Sequence, residues 1–410
     1  MNRDLKNLSV LAVILHGRRI GVINRLGGDS NVFSFEEDYI DDRARATLSL
    51  SFKSRSGSLL TEIRPTSSRL PPFFSNLLPE GRLREYLAER SGVKPDREFF
   101  LLAALGADLP GAVVVAPYEP NAAMSAPAES VAQEARPPEP MLRFSLAGVQ
   151  LKFSAMLEAS GGLTIPANGI GGSWIVKLPS AQYPDVPENE YLMMRLAGAV
   201  GIDVPSVKLI TPDQVSGLPR EAGALQGRVL AVERFDRASG GSRIHMEDFA
   251  QVYGIYPDGK YEGRSYSNIA SVLWAETGEE GTYEFIRRLV FNVMIGNGDA
   301  HLKNWTLLFP DTRAPVIAPA YDLVSTVPYI PDDRLALTFG GSRGLHEITR
   351  DQLRRFADKA GLPMKPLNDL VADTATRIRD AWNDLPEKEI LRAEIRETID
   401  AQISGVAVRL

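Results

Sequence analysis

The chain has 410 residues, of which 44% are hydrophobic, so it is long and apolar enough to bury more than one core. The formal net charge is -6 and acidic and basic residues are interspersed, which excludes a polyanion-binding face over the whole protein but not a local basic patch. The absence of cysteine excludes disulfides, thiolate catalysis and cysteine-ligated metals, and four histidines make a zinc site improbable.

The apolar run near the N-terminus predicts a β-strand rather than a signal peptide. Asp4 precedes the run, no small-x-small cleavage site follows it, and "GVINR" resumes as a second strand after a turn at His16 and Gly17. No apolar stretch approaches the length that spans a bilayer. Together with the lack of cysteine, these features predict a cytoplasmic protein that does not use a membrane.

The first 115 residues are typical of a small α/β domain. Short strands separated by polar turns fill residues 8 to about 65, and "EGRLREYLAERSG" and "DREFFLLAALG" predict two helices, each closed by a glycine. A strand at "GAVVV" completes the domain. Residues 116–140 are rich in Pro, Ala and Glu and nearly empty of large apolar residues, which indicates a linker or flexible insertion.

The remaining sequence divides into a strand-rich part and a helical part. Strands are predicted at "RFSLAG", "KFSAML", "SWIVKLP", "VKLI" and "RVLAVERFD" within residues 141–280, with a helix at "ENEYLMMRLAGAVG". Residues 281–410 are mostly amphipathic helix, and the last helix is predicted to cover "EKEILRAEIRETIDAQISGVAV". This order predicts an α+β, protein-kinase-like fold, with a strand-rich N-lobe and a helical C-lobe.

The segment "GNGDAHLKN" (296–304) holds the best candidate for a catalytic loop. Asp299 is followed five positions later by Asn304, the spacing at which kinases place the catalytic base and a metal-binding asparagine. Lys177 ends the strand "SWIVK", from which it could reach phosphates, and Asp322 follows in chain order where kinases place a metal-binding aspartate. Each residue alone has a simpler explanation as a solvent lysine, a turn former or a helix cap, but the ordered set favours phosphoryl transfer.

Other residues are candidates for the rest of a nucleotide-binding cleft. No G-x-G-x-x-G precedes Lys177, and "SLAGVQLK" (145–152) fits a plain hairpin as well as a phosphate loop around Gly148. Glu190 either pairs with Lys177 or stabilises the first turn of its own helix. The strand "LAVERFDR" could bind adenine through its backbone from Glu233 to Phe235.

These motifs together resemble one known family. "FSLAGVQLK", "WIVKLP", "ENEY", "AVERFDR", "GNGDAHLKN" and "PAYDLVST" look like the successive motifs of the HipA family of bacterial serine/threonine kinases, the toxins of HipA–HipB type II toxin–antitoxin pairs. The first domain, with "PPFFSNLLPEGRLRE", is similar to the N-terminal domain of that family. The resemblance therefore covers nearly the whole chain.

The resemblance implies roles for individual residues. Asp299 would accept the proton of the acceptor hydroxyl, Asn304 and Asp322 would hold Mg2+, and Ser145 would be autophosphorylated. Leu151 departs from the more polar residue often found before the loop lysine, so the phosphate loop matches least well. The implied ATP-binding residues are Ala147, Gly148, Val149, Gln150, Lys152, Lys177, Glu233, Arg234, Phe235, Asp236, His301, Lys303, Asn304, Tyr321 and Asp322.

The resemblance also implies partners. The substrate class would be an aminoacyl-tRNA synthetase, whose phosphorylation arrests growth, and a small helix-turn-helix antitoxin resembling HipB would bind the kinase and repress the operon with it. No DNA-reading helix is evident, so operator contact would come mainly through the antitoxin. Two alternatives stay open: a nucleotide-binding pseudokinase that completes a repressor complex, and transfer of phosphate or AMP to a different acceptor.

Overall fold

The computed structural model describes residues 7–118, 152–158, 162–165, 171–180, 182–218, 225–238 and 241–410. Ser145, the predicted phosphate-loop residues 147–150 and residues 119–140 of the predicted linker lie outside the described residues. None of the helices in the described ranges is long and apolar enough to cross a membrane.

The N-terminal domain is an antiparallel five-stranded sheet covered by short helices. Its strands follow the order β4-β3-β2-β1-β5 across the sheet. The buried rings of Phe33, Phe73 and Phe74 pack together in its hydrophobic core. The predicted first strand, the turn at His16 and Gly17 and both helices are confirmed. The elements are β1 (Val10–Leu15), β2 (Arg18–Arg25), β3 (Ser30–Phe35), α1 (Glu37–Asp41), β4 (Thr66–Ser67), α2 (Pro72–Ser75), α3 (Gly81–Arg90), α4 (Glu98–Leu105) and β5 (Val113–Pro117).

The second sheet forms the strand-rich lobe and has the order β10-β7-β6-β8-β11-β9. Antiparallel pairing places Lys152 opposite Lys177 on neighbouring strands. The helix α5 packs against this sheet and carries the motif "ENEY". The elements are β6 (Lys152–Leu157), β7 (Leu163–Thr164), β8 (Trp174–Lys177), α5 (Val186–Ala199), β9 (Val207–Ile210), β10 (Val215–Ser216) and β11 (Val229–Glu233).

The helical lobe contains the largest core, built around Phe285, Phe291, Phe356 and Trp382. Two small sheets accompany its helices, with the orders β12-β13-β14 and β15-β16. Residues 245–276 share this core, because Phe249 and Tyr266 are fully buried in it. The elements are β12 (His245–Asp248), α6 (Phe249–Val252), α7 (Tyr266–Glu276), α8 (Gly278–Met294), β13 (Thr306–Phe309), β14 (Val316–Ile317), β15 (Glu347–Thr349), α9 (Arg350–Ala360), α10 (Met364–Asn383), α11 (Ala393–Gly405) and β16 (Ala407–Arg409).

The prediction of one long C-terminal helix was wrong. The segment forms a 3-10 turn at Pro386–Ile390, then α11, then β16. Leu391 and Arg392 leave the helical conformation, with ψ of 149° and 145°, and Leu391 is buried. Burial of Leu391 therefore outweighs the helical pattern, and parallel pairing of Ala407–Arg409 with β15 ends the helix.

The N-terminal domain is joined to the helical lobe by buried polar contacts. Nε2 of His245 lies 2.7 Å from the carbonyl oxygen of Leu48. The carboxylate of Glu247 accepts from Oγ of Ser49 at 2.6 Å and from the amide of Leu50 at 2.9 Å. His245 and Glu247 both lie on β12 and are fully buried. The N-terminal domain is therefore packed directly against the lobe that carries the candidate catalytic loop.

Candidate active site

The loop after α8 is shaped by two glycines. Gly296 has a φ of +68°, the left-handed region that favours glycine. A Cβ on Gly298 would lie within 2.5 Å of all three atoms of the Asp333 carboxylate, so a side chain there would have to displace that carboxylate. The amide of Gly298 donates to Oγ1 of Thr326 at 2.8 Å. The glycines thus let the loop turn tightly against the segment that follows Asp322.

A buried asparagine in the turn orients Asp299. Nδ2 of Asn297 donates to Oδ1 of Asn292 at 2.7 Å, and Oδ1 of Asn297 accepts from the amide of Asp299 at 3.0 Å. Nδ2 of Asn304 donates to the carbonyl oxygen of Asp299 at 3.0 Å. The hydrogen bond between Asn304 and Asp299 therefore closes the loop. It uses the amide nitrogen of the Asn304 side chain and leaves the carboxamide oxygen for a metal ion.

The carboxylate of Asp299 reaches solvent at the cleft. Its Oδ1 accepts a 2.6 Å hydrogen bond from the hydroxyl of Tyr261. Partial burial by the cleft walls raises the pKa of Asp299, while this hydrogen bond and Lys260 pull the pKa down. Because the residue is exposed to solvent, screening limits the effect of burial on this carboxylate, which is the group placed to accept a proton.

The predicted pair of Lys177 with Glu190 is present. Nζ of Lys177 lies 2.5 Å from Oε1 of Glu190 and also contacts Oδ1 of Asp322. Burial disfavours the ammonium ion, but the two carboxylates outweigh burial and raise the pKa of Lys177. Glu190 is therefore not merely a first-turn residue. The sheet, α5 and the segment after the catalytic loop meet at this lysine.

The two carboxylates on Lys177 differ in their proton affinity. Burial raises the pKa of Glu190, and the neighbouring charge of Asp322 adds to that rise. Burial also opposes ionisation of Asp322, but Lys177 and Lys152 outweigh burial and lower its pKa. Asp322 is therefore the firmly ionised carboxylate, which suits a ligand of a hard cation.

Two predicted residues of the loop have different surroundings. His301 is buried, which lowers its pKa to about 3, so the ring is neutral, and its Nδ1 has no hydrogen-bond partner among the described residues. Nζ of Lys303 lies 3.0 Å from both oxygens of Asn76 and 3.3 Å from Oε1 of Glu80. The structure thus places the Lys303 ammonium against the N-terminal domain, and its ATP contact stays a prediction.

The stretch proposed to bind adenine, Glu233 to Phe235, is called the hinge here, and it offers fewer free backbone groups than its sequence indicates. The amides of Glu233 and Arg234 already donate to the carbonyl oxygens of Ser206 and Ser173, at 2.9 and 2.7 Å. The amide of Phe235 has no described partner, so it is the amide of this stretch left for a nucleotide base. The ring of Phe235 lies 5.5 Å from that of Tyr321, centroid to centroid. An adenine contact at Phe235 stays a prediction.

The side chains beside the hinge form a buried ion cluster that sequence reasoning missed. Asp236 accepts from Arg234 at 2.8 and 2.9 Å, from Arg237 at 2.6 Å and from the amide of Gly111 at 2.8 Å. Asp108 also pairs with Arg237, at 2.7 Å. The cluster joins the N-terminal domain to the hinge, and the structure does not bring the Asp236 carboxylate into the cleft. The repeated charges of "ERFDR" were the sequence signal that could have indicated this ion cluster.

The donor set fits magnesium held together with a nucleotide. The described residues include no group of three or more His, Cys, Asp or Glu that could hold a metal ion by themselves. Mg2+ commonly takes one or two protein oxygens and completes its shell with phosphates and water. The ionised Asp322 and the carboxamide oxygen of Asn304 supply such a pair, and the unpartnered Nδ1 of His301 is a further polar group for a ligand.

A lysine bridged by a helix glutamate and an aspartate, beside an Asp-x4-Asn loop between two lobes, defines a protein-kinase-like site. Two family models match this chain: the HipA N-terminal domain over residues 11–116 and the HipA-like C-terminal domain over residues 144–382. The chain belongs to the HipA family, as its motifs predicted.

Several relatives support the assignment along nearly the whole chain. A putative kinase of Sinorhizobium fredii, Y4dM, is 50% identical over 98% of each chain. The serine/threonine-protein kinase toxin HipA of Shewanella oneidensis is 27% identical over 88% of this chain and 86% of its own. A solved Shewanella complex of HipA, HipB and operator DNA contains a chain with a TM-score of 0.72 at 24% identity, covering 96% of each chain. The predicted fold is confirmed.

Proposed function

We propose that this protein is an ATP- and Mg2+-dependent serine/threonine protein kinase that acts as the toxin of a type II toxin–antitoxin pair. The observation that carries the proposal is the Lys177–Glu190–Asp322 contact beside a loop that presents Asp299 and Asn304. A pseudokinase scaffold has no need of these residues. Relatives named as kinases support the same activity.

The chemistry assigned to the residues follows from their charge and position. Lys177 binds the phosphates of ATP, and Asn304 and Asp322 hold Mg2+, which neutralises charge on the phosphates when bound. Asp299 takes the proton of a serine or threonine hydroxyl. The hydroxyl oxygen then bonds to the γ-phosphorus, the bond to the bridging β–γ oxygen breaks, and ADP leaves. Since Asp322 contacts Lys177 in this structure, ligand binding must redistribute that contact.

The substrate and partners are proposed on family grounds. The Shewanella relative is named a kinase toxin, and the solved complex contains HipB and operator DNA. We infer a small helix-turn-helix antitoxin that binds this chain, represses the operon with it and makes most of the DNA contacts. A cytoplasmic aminoacyl-tRNA synthetase is the proposed substrate, and Ser145 is the proposed autophosphorylation site.

Asp299→Asn tests the proposal directly. The amide preserves the loop but cannot accept a proton, so ATP should still bind while transfer from γ-labelled ATP to host-lysate proteins is lost. Cells that express the variant should grow, and it should still co-purify with the adjacently encoded helix-turn-helix protein. Asp311→Asn, in an exposed turn, is the matched control and should remain toxic. Equal toxicity of Asp299→Asn and wild type would refute the kinase toxin, and label from the α-phosphate would indicate AMP transfer instead.

A further inference from the structure

The segment between α6 and α7 touches the catalytic loop, although no role was predicted for it. The carbonyl oxygen of Lys260 accepts from the amide of Leu302 at 3.2 Å. Nζ of Lys260 donates to Oε2 of Glu80 in the N-terminal domain at 2.9 Å. Nη2 of Arg343 donates to the carbonyl oxygen of Tyr261 at 3.3 Å. Three separate parts of the chain thus hold residues 260 and 261 beside the loop.

The side chain of Tyr261 completes this contact at the proposed base. Its hydroxyl donates to Oδ1 of Asp299 at 2.6 Å. Its ring meets the ring of His301 edge-on, with centroids 5.0 Å apart and planes 79° apart. Tyr261 is 38% exposed, so the hydrophobic effect does not require this placement. The geometry is that of a side chain aimed at one oxygen of the catalytic carboxylate.

Tyr261 is the donor of the hydrogen bond to Asp299. Burial and the hydrogen bond to Asp299 raise the pKa of Tyr261, so the hydroxyl remains a neutral donor at physiological pH. Tyr261 occupies Oδ1, so Oδ2 remains to accept the proton of an incoming hydroxyl.

We propose that Tyr261 is a positioning residue that holds Asp299 with Oδ2 turned towards the acceptor hydroxyl. The inference rests on the proposed kinase function. Tyr261 acts through Asp299 and takes no part in bond making. Its hydroxyl supplies an orientation that the loop backbone alone does not, because the bonds from Asn297 and Asn304 reach the Asp299 backbone and not its carboxylate.

Tyr261→Phe removes the hydrogen bond and keeps the ring. We expect kcat to fall about 10- to 100-fold, the range for losing a hydrogen bond to a charged group, with the KM for ATP nearly unchanged. The control is Tyr253→Phe, since the buried hydroxyl of Tyr253 has no partner among the described residues. That variant should match wild type in both measurements.

Three outcomes would overturn the proposal. Higher activity of Tyr261→Phe would mean that the hydroxyl blocks the base. A KM for ATP that changes together with kcat would mean that the residue only supports the fold. Phosphate on Tyr261, found by mass spectrometry after incubation with ATP, would make it an acceptor instead.

A second measurement separates this inference from the proposed function. Tyr261→Phe should lower the thermal unfolding midpoint in the wild-type background and leave it unchanged in the Asp299→Ala background, because the bond is then already absent. This double-mutant cycle does not require catalytic activity. If wild type is inactive but Tyr261→Phe lowers the midpoint only in the wild-type background, the proposed kinase function would be refuted and the contact would be supported. Equal shifts in both backgrounds would refute the contact itself.

Discussion

Replacing Asp236 with asparagine should destabilise the junction between the N-terminal domain and the hinge. The residue is 4% exposed, and its carboxylate accepts three bonds from Arg234 and Arg237 and one from the amide of Gly111. Asparagine keeps the size but loses the charge and one acceptor oxygen. Two buried guanidinium groups are then left with Asp108 as their main counter-charge.

The magnitude follows from what remains in the cluster. Removing one member of a buried ion pair commonly costs about 3–5 kcal/mol. Asp108 still lies 2.7 Å from Nη2 of Arg237 and 3.7 Å from Nη1 of Arg234, so it offsets part of the loss. We therefore expect a cost of about 3 kcal/mol. That is a large part of the roughly 5–15 kcal/mol by which folded proteins exceed their unfolded states.

Urea unfolding is the assay, because guanidinium salts would screen the cluster. Arg69 and Asp258 join the N-terminal domain to the helical lobe through an exposed pair at 2.8 Å, so Asp258→Asn is the control. It should cost about 0–1 kcal/mol. The affinity of Asp236→Asn for ATP, measured where both proteins are folded, should stay close to wild type, because the carboxylate lies outside the cleft.

The cluster also predicts a pH dependence. Burial would raise the pKa of Asp236, but Arg234, Arg237 and the Gly111 amide outweigh burial and lower the pKa below its usual range. Its stabilisation is therefore complete above about pH 4, near the pKa in an unfolded chain, and is lost as the pH falls towards the folded-state pKa. Equal stability of Asp236→Asn and wild type at pH 7, or lost ATP affinity with unchanged stability, would refute the structural role.

Three further predictions concern the site. Asp322→Ala should weaken nucleotide binding only when Mg2+ is present, which calorimetry with and without the metal measures; an unchanged metal dependence would leave Asp322 a purely local role. Glu80→Gln should lower kcat about fivefold without unfolding the chain, because its ion pairs with Lys260 and Lys303, worth roughly 1 kcal/mol together, hold both sides of the catalytic loop; unchanged steady-state kinetics would contradict this. Mass spectrometry should find phosphate at Ser145 in wild type incubated with ATP and not in Asp299→Asn, and such phosphorylation should lower ATP affinity by adding a charge of about -1.5 to -2 beside the phosphate loop.

The order of the chemical groups could be predicted from the sequence, because it depends on local spacing. The Asp-x4-Asn interval needs one short loop, and alternation in "SWIVK" is enough to end a strand at Lys177. Hydrophobic periodicity likewise predicted most helices and strands. It failed at Leu391, where burial in the core overrides a helical pattern that local spacing alone would continue.

Only the tertiary structure decided which charges meet. Glu80, Tyr261 and Lys303 are far apart along the chain, and packing of the N-terminal domain against the helical lobe brings them to one loop. Asp236 is a candidate ligand by sequence, yet two arginines and an amide of another domain occupy its carboxylate. Local sequence specifies which groups a segment offers, whereas burial and long-range pairing determine which of them remain free for a nucleotide, because each buried charge must first be neutralised.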